Sequence, residues 1–430
     1  MTEPLKIAVA GLGVVGAETV RLVAAQAGIL AQRGGRPVSV TAVSARDRGK
    51  DRGLALDGIA WFDDPVALAR EADADLVCEL IGGSDGAARD VCEAAIAAGR
   101  HVVTANKALI AMHGAELGRA AEAAGATLAY EAAVAGGIPI VKALREGLAA
   151  NRVRRLQGIL NGTCNYILTT MRETGREFDD VLAEAQERGY AEADPSFDID
   201  GVDAAHKLAI LTSLAFGCEI DFSAVHVEGI RRIDAQDIRF ATELGYRIKL
   251  LGIAENGEDG VQQRVHPAMV PLDAPIASVE GVFNGVVAEG DFVGTTMFEG
   301  RGAGAGPTAS AVVADIVDIA RGRSTPAFGV PTEALTPLRV RPMDRRIGLY
   351  YVRVMVYDKP GVFADIAGAL RDSQISIESA IQRGREEGGV VPVVLATHET
   401  EEAAMQRALK LIGALDTVAE PPHMIRIETA

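Results

Sequence analysis

Residues 198–211, DIDGVDAAHKLAIL, put a lysine in the middle of an apolar helical pattern. At helical spacing Lys207 is flanked by Asp203 and Ala204 before it and by Ile210, Leu211 and Leu214 after it. An ammonium on such a face needs a partner, or its pKa must fall. A lysine with a depressed pKa can donate or accept a proton near neutral pH; the alternative is a structural lysine that snorkels to solvent. Five carboxylates lie just upstream or within the run: Glu192, Asp194, Asp198, Asp200 and Asp203. Their spacing is not that of an EF-hand loop. Asp200 is expected to cap the helix, which makes Asp203 its third residue, favoured by the helix dipole.

A second chemical feature precedes this one. A strand over 153–160 leads into Asn161-Gly162-Thr163, and a helix is expected over about 164–172. Free N–H groups at that helix start suit a carboxylate. An amphipathic helix over 178–191 separates this turn from the acidic run.

These groups need a scaffold, and the first 140 residues read as a dinucleotide fold. An apolar strand runs into Gly11-Leu12-Gly13-Val14-Val15-Gly16, followed by a helix over 14–31. The first glycine permits the turn, the second admits a pyrophosphate, and the third lets helix and strand pack. Strands are expected at 38–43, 75–81, 101–104 and 127–134, with helices at 84–98 and 108–124. This alternation means a parallel, doubly wound sheet that binds ligands at the carboxyl ends of its strands. Those ends carry Gly11–Gly16, Ser44–Arg46, Gly82–Gly83, Thr104–Lys107 and Glu131–Gly137. Arg46 just past the second strand suits a 2′-phosphate, so NADP is expected, with NAD possible. Asn106 and Lys107 stand at the ligand edge. The bend at 131–139, EAAVAGGIP, exposes carbonyls of the kind that coordinate a hard cation.

Beyond the acidic run, strands are expected at 247–255, 261–269 and 282–298. The glycine-rich loop 300–306 then leads into a helix at 307–321. Residues 323–346 contain four prolines and read as a linker. The order that follows is β-α-β-β-α-β, a split ferredoxin-like module without a catalytic cluster. The expected division is 1–140 (completed by helix 307–322), 141–322, 323–346 and 347–430. The fold class is α/β, with a Rossmann-type sheet, an α+β middle domain for substrate binding and dimerisation, and the C-terminal module.

Composition narrows the function classes. Of 430 residues, 48% are hydrophobic and 24% charged, as in a soluble globular protein of two or three domains. No apolar run approaches ~20 residues, and the N-terminus lacks the pattern of a signal peptide. The four cysteines are scattered, which fits a reducing cytoplasm, and the seven histidines form no HExxH group. A net charge of −16 without a basic cluster argues against nucleic-acid binding.

Several motifs together resemble homoserine dehydrogenase in its long monofunctional bacterial form with a C-terminal ACT domain. They are GLGVVG (11–16), TANKAL (104–109), EAAVAGGIPI (131–140), GILNGTCNYIL (158–168), ADPSFDIDGVDAAHKLAIL (193–211) and GRGAGAGPTASAVVAD (300–315). The resemblance implies NAD(P)H-dependent reduction of aspartate 4-semialdehyde to homoserine, in the branch leading to threonine, methionine and isoleucine. It implies Lys207 as proton donor, Asp203 as its partner and a substrate contact, and Lys107 as a second active-site lysine. It further implies Glu192 and Asp198 at the substrate, and Gly11, Gly13, Gly16, Lys107 and Gly306 at the cofactor. The carbonyls of Glu131, Val134, Gly136 and Ile138 match a sodium or potassium site. Cys164 departs from the family pattern, which often has a second threonine there. DKPGV (358–362) resembles the ACT turn, with threonine as the expected effector of a homodimer or homotetramer. Another amino-acid dehydrogenase, or an amino-acid sensor built on a degenerate reductase, are the competing readings.

Overall fold

The computed structural model describes residues 3–382 and 389–429. Six parallel strands form the first sheet: β1 (Leu5–Ala10), β2 (Val38–Ser44), β3 (Ala60–Phe62), β4 (Leu76–Glu79), β5 (His101–Thr104) and β6 (Leu128–Ala129). Their order is β3-β2-β1-β4-β5-β6. The central strands β1, β4 and β5 are buried almost throughout, as parallel strands covered on both faces must be, while edge strand β3 is half-buried to exposed. Helix Ala305–Ala320 returns from much later in the chain to pack beside helix Val14–Ala25 and share its core.

The second sheet has eleven strands. The first seven in chain order are β7 (Val153–Ile159), β8 (Val225–Val227), β9 (Tyr246–Gly257), β10 (Gly260–Pro271), β11 (Phe283–Gly290), β12 (Gly294–Arg301) and β13 (Ile347–Tyr357). The remainder are β14 (Ile377–Gln382), β15 (Val390–Thr397), β16 (Thr400–Glu401) and β17 (His423–Ile427). The main path runs β12-β11-β7-β9-β10-β17-β13-β15-β14, with β8 beside β10 and β16 beside β13. The last four strands of that path, with helices Val362–Asp372 and Glu402–Gly413, make the ferredoxin-like module. It is not a separate bead. Strand β17 pairs in parallel with β10, so one sheet crosses from the middle of the chain into the module. The buried charges at this seam are paired: Arg264 Nη2 lies 3.0 Å from Glu428 Oε2, and Arg346 Nη2 lies 2.9 Å from Glu428 Oε1.

Several sequence expectations need correction. The helix expected over 14–31 is two, Val14–Ala25 and Ala27–Gly34, bent by 80°. The strand expected over 127–134 stops at Ala129, and a 3-10 turn over Glu131–Ala133 follows. Its successor residues bend away, with Ala135 at φ 51°. The run 282–298 is a hairpin, β11 and β12. The late helix begins at Ala305, so Gly306 lies in its first turn and not in the loop. The proline-rich segment 323–346 is not a free spacer. Ala327, Phe328 and Leu335 are buried, and Thr336 bridges to Cys218.

The fingerprint glycines separate into two kinds. A Cβ on Gly11 would lie 2.5 Å from the Leu80 carbonyl oxygen, at a φ of +99°. One on Gly16 would overlap the carbonyl of Gly11. The fold itself forbids both. At Gly13, φ is an ordinary −74° and no protein atom lies within 4 Å of the added carbon. Gly11→Ala should therefore lower stability by about 2 kcal/mol or more in denaturant unfolding. Gly13→Ala should leave the unfolding midpoint nearly unchanged.

Candidate active site

Helix Val202–Phe216 is buried on nearly every face from Asp203 to Leu214. It starts at Gly201, whose φ of 86° no side-chain residue adopts easily, and ends at Gly217 in the same region. Asp200 does not cap it. The backbone at Asp200 is the close of the preceding short helix, Ser196–Ile199, and its carboxylate pairs with Arg231. Asp203 is accordingly the second helical residue, not the third.

Lys207 is only 8% exposed. Its Nζ donates to Asp203 Oδ2 at 2.7 Å and to the Leu160 carbonyl at 2.7 Å. Lys107, the first residue of helix Lys107–Ala123, pairs with the other oxygen of Asp203. Burial and the neighbouring Lys107 charge push the Lys207 pKa below its usual 10.5, against the pull of Asp203. Burial alone would raise Asp203, but the two lysines outweigh it and hold the carboxyl well below the usual carboxylate range.

Asn161 completes the arrangement. Its Oδ1 accepts from Cys164 N at 2.8 Å and so caps helix Gly162–Thr174. Its Nδ2 donates to Asp198 Oδ1 and to Asp203 Oδ2, each at 2.8 Å. Thr163 Oγ1 contacts Asp198 Oδ2 at 3.1 Å. The cap ties the Asn161–Thr163 turn to two of the acids. Cys164, the departure from the family pattern, is fully buried with Sγ 3.2 Å from the Asp198 carbonyl.

These groups surround one cavity of about 590 Å³. Lys107, Gly162, Thr163, Glu192, Asp198, Asp203 and Lys207 all line it. It also touches Asn161, expected only as part of the turn, and Tyr190, Phe197, Asn284 and Arg301, which the sequence did not mark as site residues. Asn161 was readable as a helix cap, but its bridge to Asp203 depends on a contact across 42 positions. Phe197 sits under Lys107, with Nζ 5.5 Å from the ring centre.

The residues expected at the cofactor lie along the carboxyl edge of the parallel sheet. Leu12 is buried and Val14 is exposed, with Val15 between the two. Arg46 stands in solvent past the end of β2. Gly82 and Gly83 have φ of 88° and 90°. Buried Glu79 fixes that loop, accepting from Ile81 N at 2.7 Å, Gly82 N at 3.2 Å and Thr104 Oγ1 at 2.6 Å. The Thr104 hydroxyl also accepts from Asn106 N, so its side chain is committed to the loop. Arg52, another residue passed over, donates from Nε to the Leu12 carbonyl at 3.1 Å.

Glu131, Val134, Gly136 and Ile138 fall on the buried bend between the two sheets, outside the cavity. The Glu131 carboxylate accepts from Val141 N at 3.0 Å and Lys142 N at 2.8 Å. Burial, then the nearby Asp315 charge, push its pKa up to about 7. The Ile138 carbonyl accepts from Ile140 N. Among the described residues no protein donor reaches the carbonyls of Val134 and Gly136. Gly137 N donates to the Arg301 carbonyl at 2.9 Å, which joins this bend to the cavity wall. No group of three His, Cys, Asp or Glu side chains among the described residues is arranged to hold a metal.

A family model described as homoserine dehydrogenase matches residues 139–317, and one for that family's NAD-binding domain matches 11–131. A homoserine dehydrogenase of Neisseria gonorrhoeae is 46% identical over 433 residues, covering 99% of each chain. The chain belongs to the homoserine dehydrogenase family. An ACT domain model matches residues 350–415, within the ferredoxin-like module. The crystal structure of a homoserine dehydrogenase from Thiobacillus denitrificans superposes with a TM-score of 0.94 at 46% identity, over 99% of both chains. A hyperthermophilic archaeal homoserine dehydrogenase solved with NADPH covers 74% of this chain and 97% of its own, with a TM-score of 0.62 at 28% identity. The chain is an NAD(P)-dependent oxidoreductase.

Loss of the Asn161 side chain removes a helix cap and two donors to carboxylates. Asn161→Ala should lower stability by about 1–2 kcal/mol in urea unfolding. Asn161→Asp keeps the cap but sets a third carboxylate against Asp198 and Asp203. It should regain little stability above pH 5 and more as the pH falls.

Proposed function

We propose that this enzyme reduces aspartate 4-semialdehyde to homoserine, reversibly, with Lys207 as the group that gives the proton to the aldehyde oxygen. One observation carries the reading: the Lys207 ammonium lies on the buried wall of the cavity with two of its three N–H donors held. The remaining donor is free for the substrate oxygen. In the reverse direction the neutral amine takes the hydroxyl proton, which its lowered pKa favours. Asp203 keeps the lysine in place, and Lys107 adds a second positive charge at the developing alkoxide. Glu192 and Asp198 suit the substrate ammonium. The Gly162 and Thr163 amides at the helix start suit its carboxylate. When bound, the nicotinamide cofactor exchanges a hydride with the carbon that carries this oxygen.

The cofactor fits the first sheet because Gly13 is a glycine for no reason internal to the protein, at the mouth of a helix. Gly11, Leu12, Val14, Val15, Gly16, Gly82, Gly83, Thr104, Lys107 and Gly306 complete its surroundings in this reading, Thr104 through the loop it fixes. NADP is favoured over NAD because Arg46 extends free past β2 and an archaeal relative was solved with NADPH. A monovalent cation at the Glu131, Val134, Gly136 and Ile138 carbonyls is supported by the two carbonyls that lack donors.

The same reading includes the pathway to threonine, methionine and isoleucine, and inhibition by threonine at the ACT module, whose DKPGV turn closes on Gly361 at φ 96°. Assembly as a dimer or tetramer is supported by the open edges β12 and β14 and by Phe292, 89% exposed at a hairpin tip. A cytoplasmic setting is supported by four free, buried cysteines. No single described helix is long and apolar enough to cross a membrane. The division into 1–140, 141–322, 323–346 and 347–430 is retained as functional units, although the third is a packed strap.

Homoserine should drive reduction of NADP, and Lys207→Ala should lower kcat about 10²-fold or more. Full turnover in that variant contradicts the mechanism. Homoserine oxidation should rise with pH to an inflection below 10.5, because the base form is required, and the reverse reaction should fall over the same limb. An inflection at or above 10.5 contradicts a lysine of lowered pKa. Arg46→Ala should lower kcat/KM for NADP about tenfold and leave that for NAD within about twofold. Equal losses for both nucleotides contradict a 2′-phosphate contact.

A further inference from the structure

The acidic turn of the active site rests on the C-terminal module. Arg426 of β17 is 2% exposed. Its Nη1 and Nη2 each lie 2.9 Å from an oxygen of Glu228, in a two-point clasp. Its Nε and Nη2 also hold Glu402, at 3.0 and 2.7 Å, at the start of the module's second helix. Glu228 follows β8 and belongs to the catalytic part of the chain.

The segment beginning at Glu228 supports the turn that carries Asp198. Ile230 N donates to the Ile199 carbonyl at 2.8 Å. Gly229 is pressed against the same turn so closely that a Cβ would overlap the Ile199 carbonyl and the Asp200 backbone. Gly201, which opens the helix of Asp203 and Lys207, is closely packed as well: an added Cβ would lie 3.1 Å from Val227 and 3.4 Å from the Glu228 carbonyl. Asp198 in turn holds Asn161 and Thr163. A continuous run of packed atoms thus joins Arg426 to the substrate-facing acids.

A second clasp joins module and catalytic part elsewhere. Asp237 accepts from Tyr351 at 3.0 Å and from Arg353 at 2.8 Å, and lies 2.8 Å from His423 Nδ1. It does not touch residues 196–201.

We propose that Arg426 and Glu228 are positioning residues for the homoserine site, setting the 196–201 turn from the C-terminal module. This rests on reading Asp198 as part of the substrate ammonium site. The test is steady-state kinetics on the full chain with homoserine and nucleotide varied separately. Arg426→Met should raise the homoserine KM about tenfold, leave the nucleotide KM within about twofold, and be partly rescued by Arg426→Lys. Gly229→Ala, outside the ion pairs, should show the same split. Asp237→Asn, which loosens the other clasp, should leave the homoserine KM within about twofold. An unchanged homoserine KM in Gly229→Ala, or an equal rise in Asp237→Asn, overturns the proposal. If Arg426→Met does not fold, Glu228→Gln takes its place under the same criteria. Asp198→Asn separates the two layers. If it raises the homoserine KM while the positioning variants do not, only the proposal fails; if it does not, the reading of the turn fails as well.

Discussion

Asp203 lies between two ammonium groups, and the cavity is arranged around that fact. A carboxylate buried alone would take up a proton, and a lysine buried alone would lose one. Placed between Lys107 and Lys207, Asp203 stays charged, and each lysine gains a partner. Two lysines and one carboxylate leave a local positive field at this point of the wall, although Glu192, Asp194 and Asp198 also line the cavity. That field suits a carbonyl oxygen gaining negative charge. Deleting one member of such a group strands the others, which is why buried ion pairs are costly to break even where they add little net stability.

Burial of a lysine does not by itself make a site. Lys249 is also buried, and burial pushes its pKa down to about 8. Its donors are spent on the Val279 carbonyl, Asn165 and Glu280, and it lies against a void of about 10 Å³. Lys207 differs because it has a donor in reserve and lines a cavity of about 590 Å³. The fold secures this with elements far apart in sequence. The turn after β7, the helix starting at Gly201 and the helix starting at Lys107 meet at one carboxylate, and the seam between β10 and β17 braces the turn behind them.

Much of this was legible from residue patterns. The Lys207 anomaly, the glycine fingerprint, the parallel alternation and the ferredoxin-like order all come from local periodicity, which the fold respects. What escaped depended on contacts between distant positions. Asp200 reads as a cap because its type and place are right, yet a preceding helical turn fixes its backbone and Arg231 takes its carboxylate. Asn161 reads as part of a turn, and nothing local shows that its amide spans two acids. The prolines of 323–346 signal irregular backbone correctly but not its packing, which comes from Phe328 and Leu335 entering the core. The parallel pairing of β10 with β17 joins segments more than 150 residues apart, beyond the reach of any local pattern.

Asp203 must keep Lys207 in place as a protonated donor against the desolvation that would neutralise it. The direct measurement is an NMR titration of the Lys207 ε-carbon in the full chain labelled at lysine, in the wild type and in Asp203→Asn. The expected pKa lies below 10.5 in the wild type and falls further in the variant, since burial and Lys107 then act unopposed. A Lys207 pKa that is unchanged or higher in Asp203→Asn would contradict it.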